Sequence, residues 1–205
     1  MVEDLEDVRR QILAIRAGGE ELLADLSHAQ LLLQPQPGKW SIANCVDHLI
    51  VAGSDSVSNI RNAIKEARTR RLFSVGPFRY GLLERWFVSQ MEPPPKMRMK
   101  APEAYAPIGR HPDDLLPGFL LLQDQLLECI RESDGIDLSK VKVSNPISRL
   151  MRFSLGQEFA LNAAHERRHL WQARRVKNSF EFFSSQIGAV FSFKFSDRNS
   201  GGGKT

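Results

Sequence analysis

The chain has 205 residues, 42% of them hydrophobic and 25% charged, which favours one soluble domain able to bury its own core. A net charge of +4 is modest, and no base-stacking aromatics interleave the basic clusters, which argues against nucleic acid as a partner. No apolar run approaches the ~20 residues of a membrane span, and the acidic start MVEDLEDVRR is not a secretory signal, so a cytoplasmic protein without membrane attachment is expected. Two cysteines, Cys45 and Cys129, make neither a disulfide framework nor a cysteine-rich zinc motif and read as small reduced core side chains.

In chain order, VEDLEDVRRQILAIRAGGEELLADLS places Leu5, Val8, Ile12, Ile15, Leu22, Leu23 and Leu26 at helical spacing, and the pair Gly18–Gly19 predicts a kink. QPQPGKW breaks the chain, Ser41 is placed as an N-cap, and a second helix follows with the stripe Ile42, Val46, Leu49, Ile50, Val57, Ile60 and Ile64. Residues 68–111 read as an irregular, proline-rich connection or lid containing one short helix at YGLLERWFVSQ. PDDLLPGFLLLQDQLLECIRES is the third long helix, opened by Asp113 or Asp114. Ser154 and Gln157 spell a capping box for a fourth helix that runs to about Lys177. The prediction is therefore all-α: a four-helix bundle over residues 1–177, with a long connection between helices two and three and a tail at 178–205. GGGKT at the end of that tail lacks the strand, spacing and following helix of a phosphate-binding loop.

The chemistry concentrates in HERRH, residues 165–169. On a helix, His165 and His169 stand about 40° apart and roughly 6 Å along the axis, so one ion can meet both rings. The same letters spell the HExxH pattern of zinc proteases, and two incidental histidines on a charged helix remain a third reading. Glu158, Asn162 and Gln172 share the face of His165, whereas Arg167 and Arg174 point nearly the opposite way and read as solvated. A catalytic zinc usually takes three protein ligands. His48, midway along the second helix and off its apolar stripe, is the best third candidate, although the placement equally suits a surface histidine. A zincin would need a ligand downstream; no histidine follows His169, which speaks against a metallohydrolase. His28 and His111 read as solvated.

PGKWSIANCVDHLIVAG, followed ~115 residues later by HERRHLWQARRVK, resembles the DinB-like superfamily. The residues carrying the likeness are Pro37, Trp40, Ser41, His48 and Leu49, then Asn145–Pro146, Ser154, Leu155, His165, Glu166, Arg168, His169 and Gln172, over roughly residues 1–177. The resemblance implies a four-helix bundle holding one divalent ion, zinc or nickel, on His48, His165 and His169. It further implies, for some members, transfer or isomerisation reactions that use a small thiol such as bacillithiol, mycothiol or glutathione. Two functions of different class follow as expectations: a metal-dependent thiol transferase acting on a small-molecule substrate, or a non-catalytic metal-binding stress protein that works as a dimer. Glu158, Asn162 and Glu166 are the candidates for a catalytic or supporting role, and Glu166 is expected to orient a ligand or pair with an arginine. The stretch LLERWFVSQM and the phenylalanine-rich tail offer apolar surface for a homodimer. Because each imidazole must be neutral to ligate, zinc binding is expected to weaken below about pH 6.

Overall fold

The computed structural model describes residues 1–95, 101–144 and 152–196, with side chains as far as residue 180. It is mostly helical: α1 Glu3–Leu23, α2 His28–Leu32, α3 Ile42–Thr69, α4 Leu82–Met91, a 3-10 turn at Glu103–Tyr105, α5 Pro112–Glu132 and α6 Leu155–Ser196. The two strands, β1 Lys142–Val143 and β2 Phe153–Ser154, form one antiparallel ladder just before α6. At two residues each they are too short to show an alternating pattern, which is why the sequence carries no strand signal.

The four long helices bury the stripes read from their spacing. On α1, Leu5, Val8, Ile12, Ile15, Leu22 and Leu23 are buried, and on α3 the whole predicted stripe from Ile42 to Ile64 is. α3 packs against α5 and α6, and α1 against the same two helices. Each Leu or Ile so buried stabilises the fold by roughly 1.5–3 kcal/mol. Ser41 opens α3 as expected: its hydroxyl accepts from the Asn44 amide at 3.1 Å, and the Asn44 side chain accepts from the Ser41 amide at 3.1 Å. Cys45 and Cys129 are free and buried, as core side chains should be.

Four local expectations are corrected. α1 runs without interruption across Gly18–Gly19. The reason for glycine there is contact: a Cβ on Gly19 would sit 2.3 Å from Cε1 of Phe119, a side chain wholly buried on α5. We expect Gly19→Ala to destabilise the protein by about 1–3 kcal/mol, because the overpacking outweighs alanine's better helix propensity; a denaturant midpoint at or above wild type would refute it. α5 is opened by the side chain of His111, which accepts from the Asp113 amide at 3.4 Å, with Pro112 as the first helical residue. Asp113 instead meets the exposed His28 at 2.7 Å. Ser154 does not form the capping box with Gln157, because its amide and its hydroxyl both donate to Glu84 of α4, at 3.0 and 2.9 Å. Finally, α6 continues past Lys177 to Ser196.

The connection between α3 and α5 is tied to the long helices at several points. α4 packs on α6, and the 3-10 turn packs on α3. Glu84 also accepts from Lys142 Nζ at 2.8 Å. Burial would raise its carboxyl, yet the bonds from Lys142 and Ser154 hold it below the ordinary glutamate value and so keep the clamp charged. Asp47 of α3 accepts from the amides of Gly109 and Arg110, at 2.8 and 3.1 Å, and from Arg110 Nε at 3.3 Å. The Tyr105 hydroxyl donates to Asp55 at 2.8 Å. Two carboxylates on α3 thus hold the descending part of the connection against that helix.

Candidate metal centre

His48 comes from the buried second turn of α3, and His165 and His169 from successive turns of α6. The long contact between α3 and α6 sets the first ring against the other two. One ligand atom from each histidine lies within 4.8 Å of the others. Ring centroids are 4.5 Å apart for His48–His169, 4.7 Å for His165–His169 and 5.0 Å for His48–His165. The three rings converge, and His48, 2% exposed, is not the surface histidine its wheel position allowed.

The hydrogen bonds decide which nitrogens are available. His48 Nδ1 lies 2.7 Å from the Tyr105 carbonyl oxygen. A carbonyl only accepts, so Nδ1 carries the hydrogen and the lone pair of the neutral ring is on Nε2. That lone pair faces His165 Nε2 at 3.1 Å. Two nitrogens on one tetrahedral ion, each about 2.05 Å from it, would stand about 3.3 Å apart. His169 Nδ1 is buried and takes no hydrogen bond among the described residues, and a buried imidazole nitrogen left so is costly unless something else meets it. Burial also sets the charge. It pulls His165 down to about 3, with the neighbouring His48 and Arg168 charges adding to the effect. Burial pulls His169 well below its usual range, again with help from the other two rings. It lowers His48 too, against the bond to Tyr105 and the charge of Asp47. All three rings are neutral at pH 7, the form in which imidazole ligates. The donor set fits a divalent cation that accepts nitrogen.

A cavity of about 460 Å³ opens beside the rings. Trp40 forms one wall, tilted over His48 at 4.9 Å and His169 at 5.6 Å between centroids. Lys39, Met91, Tyr105, Arg168 and Gln172 line the rest.

The sequence of residues 11–173, from within α1 to near the middle of α6, matches the DinB superfamily and takes in all three histidines. The chain belongs to the DinB superfamily. No curated protein and no solved structure matches it.

The other candidates of this DinB chain lie off the cavity wall. Glu166 is 2% exposed, and its Oε1 accepts from Gln123 Nε2 of α5 at 3.1 Å. It pairs with an amide, not with an arginine, and burial pushes its carboxyl up to about 8. Glu158 accepts from the Ser56 hydroxyl at 2.9 Å, and Asn162 Nδ2 donates to Ser56 Oγ and to the Glu158 carbonyl, each at 2.8 Å. Those three residues tie α6 to α3 below the histidines. Arg167 is not simply solvated: it donates to Gln11 at 2.9 Å and through Nε to Glu92 at 3.0 Å. Arg174 donates to the Gly18 carbonyl oxygen at 3.0 Å and is exposed, as expected. Neither cysteine is a thiolate at neutral pH, since burial raises the Cys45 thiol to about 12 and the Cys129 thiol to about 11. Sequence reasoning missed Tyr105, which acts on His48 through its backbone and so leaves no side-chain signal. It also missed Ser56, one polar residue among several on α3.

Proposed function

We propose that this DinB protein is a metal-dependent transferase that uses a low-molecular-weight thiol, with His48, His165 and His169 holding one zinc or nickel ion. The scaffold is the family's four-helix bundle, made of α1, α3, α5 and α6, with residues 70–111 as the long connection between its second and third helices. The observation that carries the reading is the three-histidine set at the wall of an open cavity. Structural zinc sites are closed by four protein ligands, whereas catalytic ones keep three and leave a position for substrate. When bound there, the ion supplies the Lewis acidity that turns a thiol into a thiolate at neutral pH.

The chain's own residues prepare that step. The Tyr105 carbonyl fixes the His48 tautomer, which directs its lone pair inward. Trp40 covers one side of two rings and keeps bulk water from it. Asp47 and Asp55 hold the segment that carries Tyr105. Glu158 and Asn162 fix the height of α6 against α3 through Ser56 and support the ligands without touching substrate. A metallohydrolase of the HExxH type would need Glu166 at the ion as general base, and its bond to buried Gln123 counts against that reading.

Turnover of an electrophilic test substrate with bacillithiol, mycothiol and glutathione in turn is the test. We expect a metal-dependent rate with at least one thiol. No such rate with any of them would favour the alternative, a metal-binding stress protein without catalysis. Both readings take the protein as a cytoplasmic homodimer. Leu82, Leu83 and Trp86 are exposed on one side of α4, with Phe73 and Val75 exposed in the segment before it, an apolar surface of the kind subunits cover. Light scattering at tens of micromolar should therefore give twice the chain mass of 23.2 kDa, and a monomer there would remove the dimer.

A further inference from the structure

We infer that the cavity beside the three histidines takes an uncharged molecule with a compact hydrocarbon body, such as an aromatic ring, and that Ala52 and Met91 are the residues that admit it. The inference rests on reading that cavity as the substrate site, and it names the class of the electrophilic acceptor.

Apart from the histidines, the polar side chains in the interior of the wall already have protein partners. Tyr105 gives its hydroxyl to Asp55 at 2.8 Å, and its carbonyl oxygen meets His48 at 2.7 Å. The Gln172 side chain bonds His169. Arg168 is nearly buried, donates to the Gln90 carbonyl oxygen at 3.3 Å, lies 3.9 Å from the Met91 sulfur and has a further partner. Lys39 is exposed at the rim, where its ammonium keeps its water. A charged ligand would give up its own hydration for groups that are engaged elsewhere, and each polar atom it buried would count against it. On the transferase reading the thiolate answers the charge of the ion, so the acceptor has none left to answer.

What the wall offers instead is carbon, from Trp40, Ala52, Met91, Ala101 and Pro102. Trp40 packs on the main core cluster, and Met91 belongs to a smaller one with Phe153, Leu161 and Ala164, so hydrocarbon backs both surfaces. Ala101 and Pro102 supply the side formed by the connection. Ala52 stands on α3 four residues beyond His48, one turn along the same face. A larger side chain there would occupy the space next to the histidines, and alanine leaves it to the ligand. The Met91 thioether is polarisable and suits contact with the edge of an aromatic ring. A volume of about 460 Å³ is in the range of small-molecule sites, which are mostly apolar with a few polar groups that fix orientation. The three histidines are that polar end. Small thiols such as glutathione are polar away from their sulfur, so their bulk lies toward the rim at Lys39 and the acceptor holds the interior.

The test uses the full chain loaded with zinc and calorimetric titration with four probes: phenylmethanethiol, 2-mercaptoethanol, 4-(sulfanylmethyl)benzoate, and phenylmethanol, which has no thiol. We expect phenylmethanethiol to bind about 10- to 100-fold more tightly than 2-mercaptoethanol, the gain from burying one ring. The benzoate should bind more weakly than phenylmethanethiol. Ala52→Leu should lower the first ratio about tenfold by filling the space beside the ring. Met91→Gln, similar in shape but polar, should lower it several-fold. Should Met91→Gln lose its fold or its zinc, Ala52→Leu, at a partly exposed helical position, still decides the matter. A ratio near one would overturn the inference. So would a benzoate that binds as tightly as phenylmethanethiol, or a ratio unchanged in Ala52→Leu and in any folded Met91→Gln. Phenylmethanol separates this result from the transferase reading: ring binding that Ala52→Leu weakens, with no gain from the thiol, would leave the apolar site standing and remove the thiol.

Discussion

His169→Ala should abolish metal retention and thiol-dependent turnover together. Two imidazoles make a weak site, and the loss should exceed about 100-fold in affinity, the upper end for merely deleting a hydrogen bond behind a ligand. Elemental analysis of purified variant and wild type measures it directly. The fold itself should survive, because the core clusters are built from Leu, Ile, Val, Ala, Phe, Cys and Met and include none of the three histidines. A variant that keeps a full equivalent of zinc would displace His169 from the ligand set.

The same variant has a signature in acid that needs no metal. Each of the three histidines has its folded-state pKa lowered, chiefly by burial. The unfolded chain therefore takes up protons below pH ~6.5 that the folded chain refuses. Stability of the metal-free protein is unaffected above that pH and falls as the pH drops from about 6.5 toward 3, by up to about 1.4 kcal/mol per pH unit for each ring. Removing His169 should make the fall shallower by about one ring's share, whatever the substitution does to stability at pH 8. An unchanged slope would mean that His169 is already protonated in the fold. The lowered values also revise the pH at which zinc is lost. Folded rings stay neutral below the ordinary imidazole range, so proton competition for the site sets in at a lower pH than free imidazole would give.

What could be read without the structure depends on how locally each feature is encoded. The long helices were legible because their apolar stripes recur every three to four residues within one segment. The HERRH pair was legible because four residues of helix fix the angle between two side chains. His48 was less so, since its wheel position also suits a surface residue; it was the best third candidate, the likeness to a family strengthened it, and what brings it to the pair is the α3–α6 contact, with a carbonyl in the connection fixing its ring. The failures share this cause. Gly18–Gly19 looked like a kink because the reason for Gly19 is Phe119, on another helix. Ser154 looked like a cap, but Glu84 on α4 offers a charged acceptor for both its donors, stronger than a neutral Gln157. Glu166, turned about 100° from His165 on the wheel, reads as orienting a ligand or pairing with an arginine. Its actual partner, Gln123, is on α5, and Arg167 reaches outward to Glu92 and Gln11.

That pairing leads to the second large effect. Glu166→Gln should make the protein more stable at pH 8 and change little near pH 4.5. Glu166 Oε2 and Gln123 Oε1 are both buried without a hydrogen-bond partner among the described residues, while Gln123 Nε2 donates to Glu166 Oε1. Two oxygens lacking donors side by side with one amide are satisfied by a single proton on the carboxyl, and burial holds that proton by pushing Glu166 up to about 8. The folded carboxyl thus sits above its unfolded value of 4.5. Between those two pH values the unfolded chain releases a proton that the folded one keeps, so stability is full below about 4.5 and declines as the pH rises toward 8. Glutamine supplies an N–H donor in place of the carboxyl O–H, without an ionisable group, and removes the decline, a gain of a few kcal/mol at pH 8. Denaturant titrations of both proteins at pH 5 and pH 8 give the answer. The two curves should nearly coincide at pH 5 and separate in favour of the variant at pH 8. A variant less stable than wild type at pH 8 would mean that Glu166 is ionised in the fold, and a charged carboxylate one residue from His165 would then return as a candidate for the chemistry of the site.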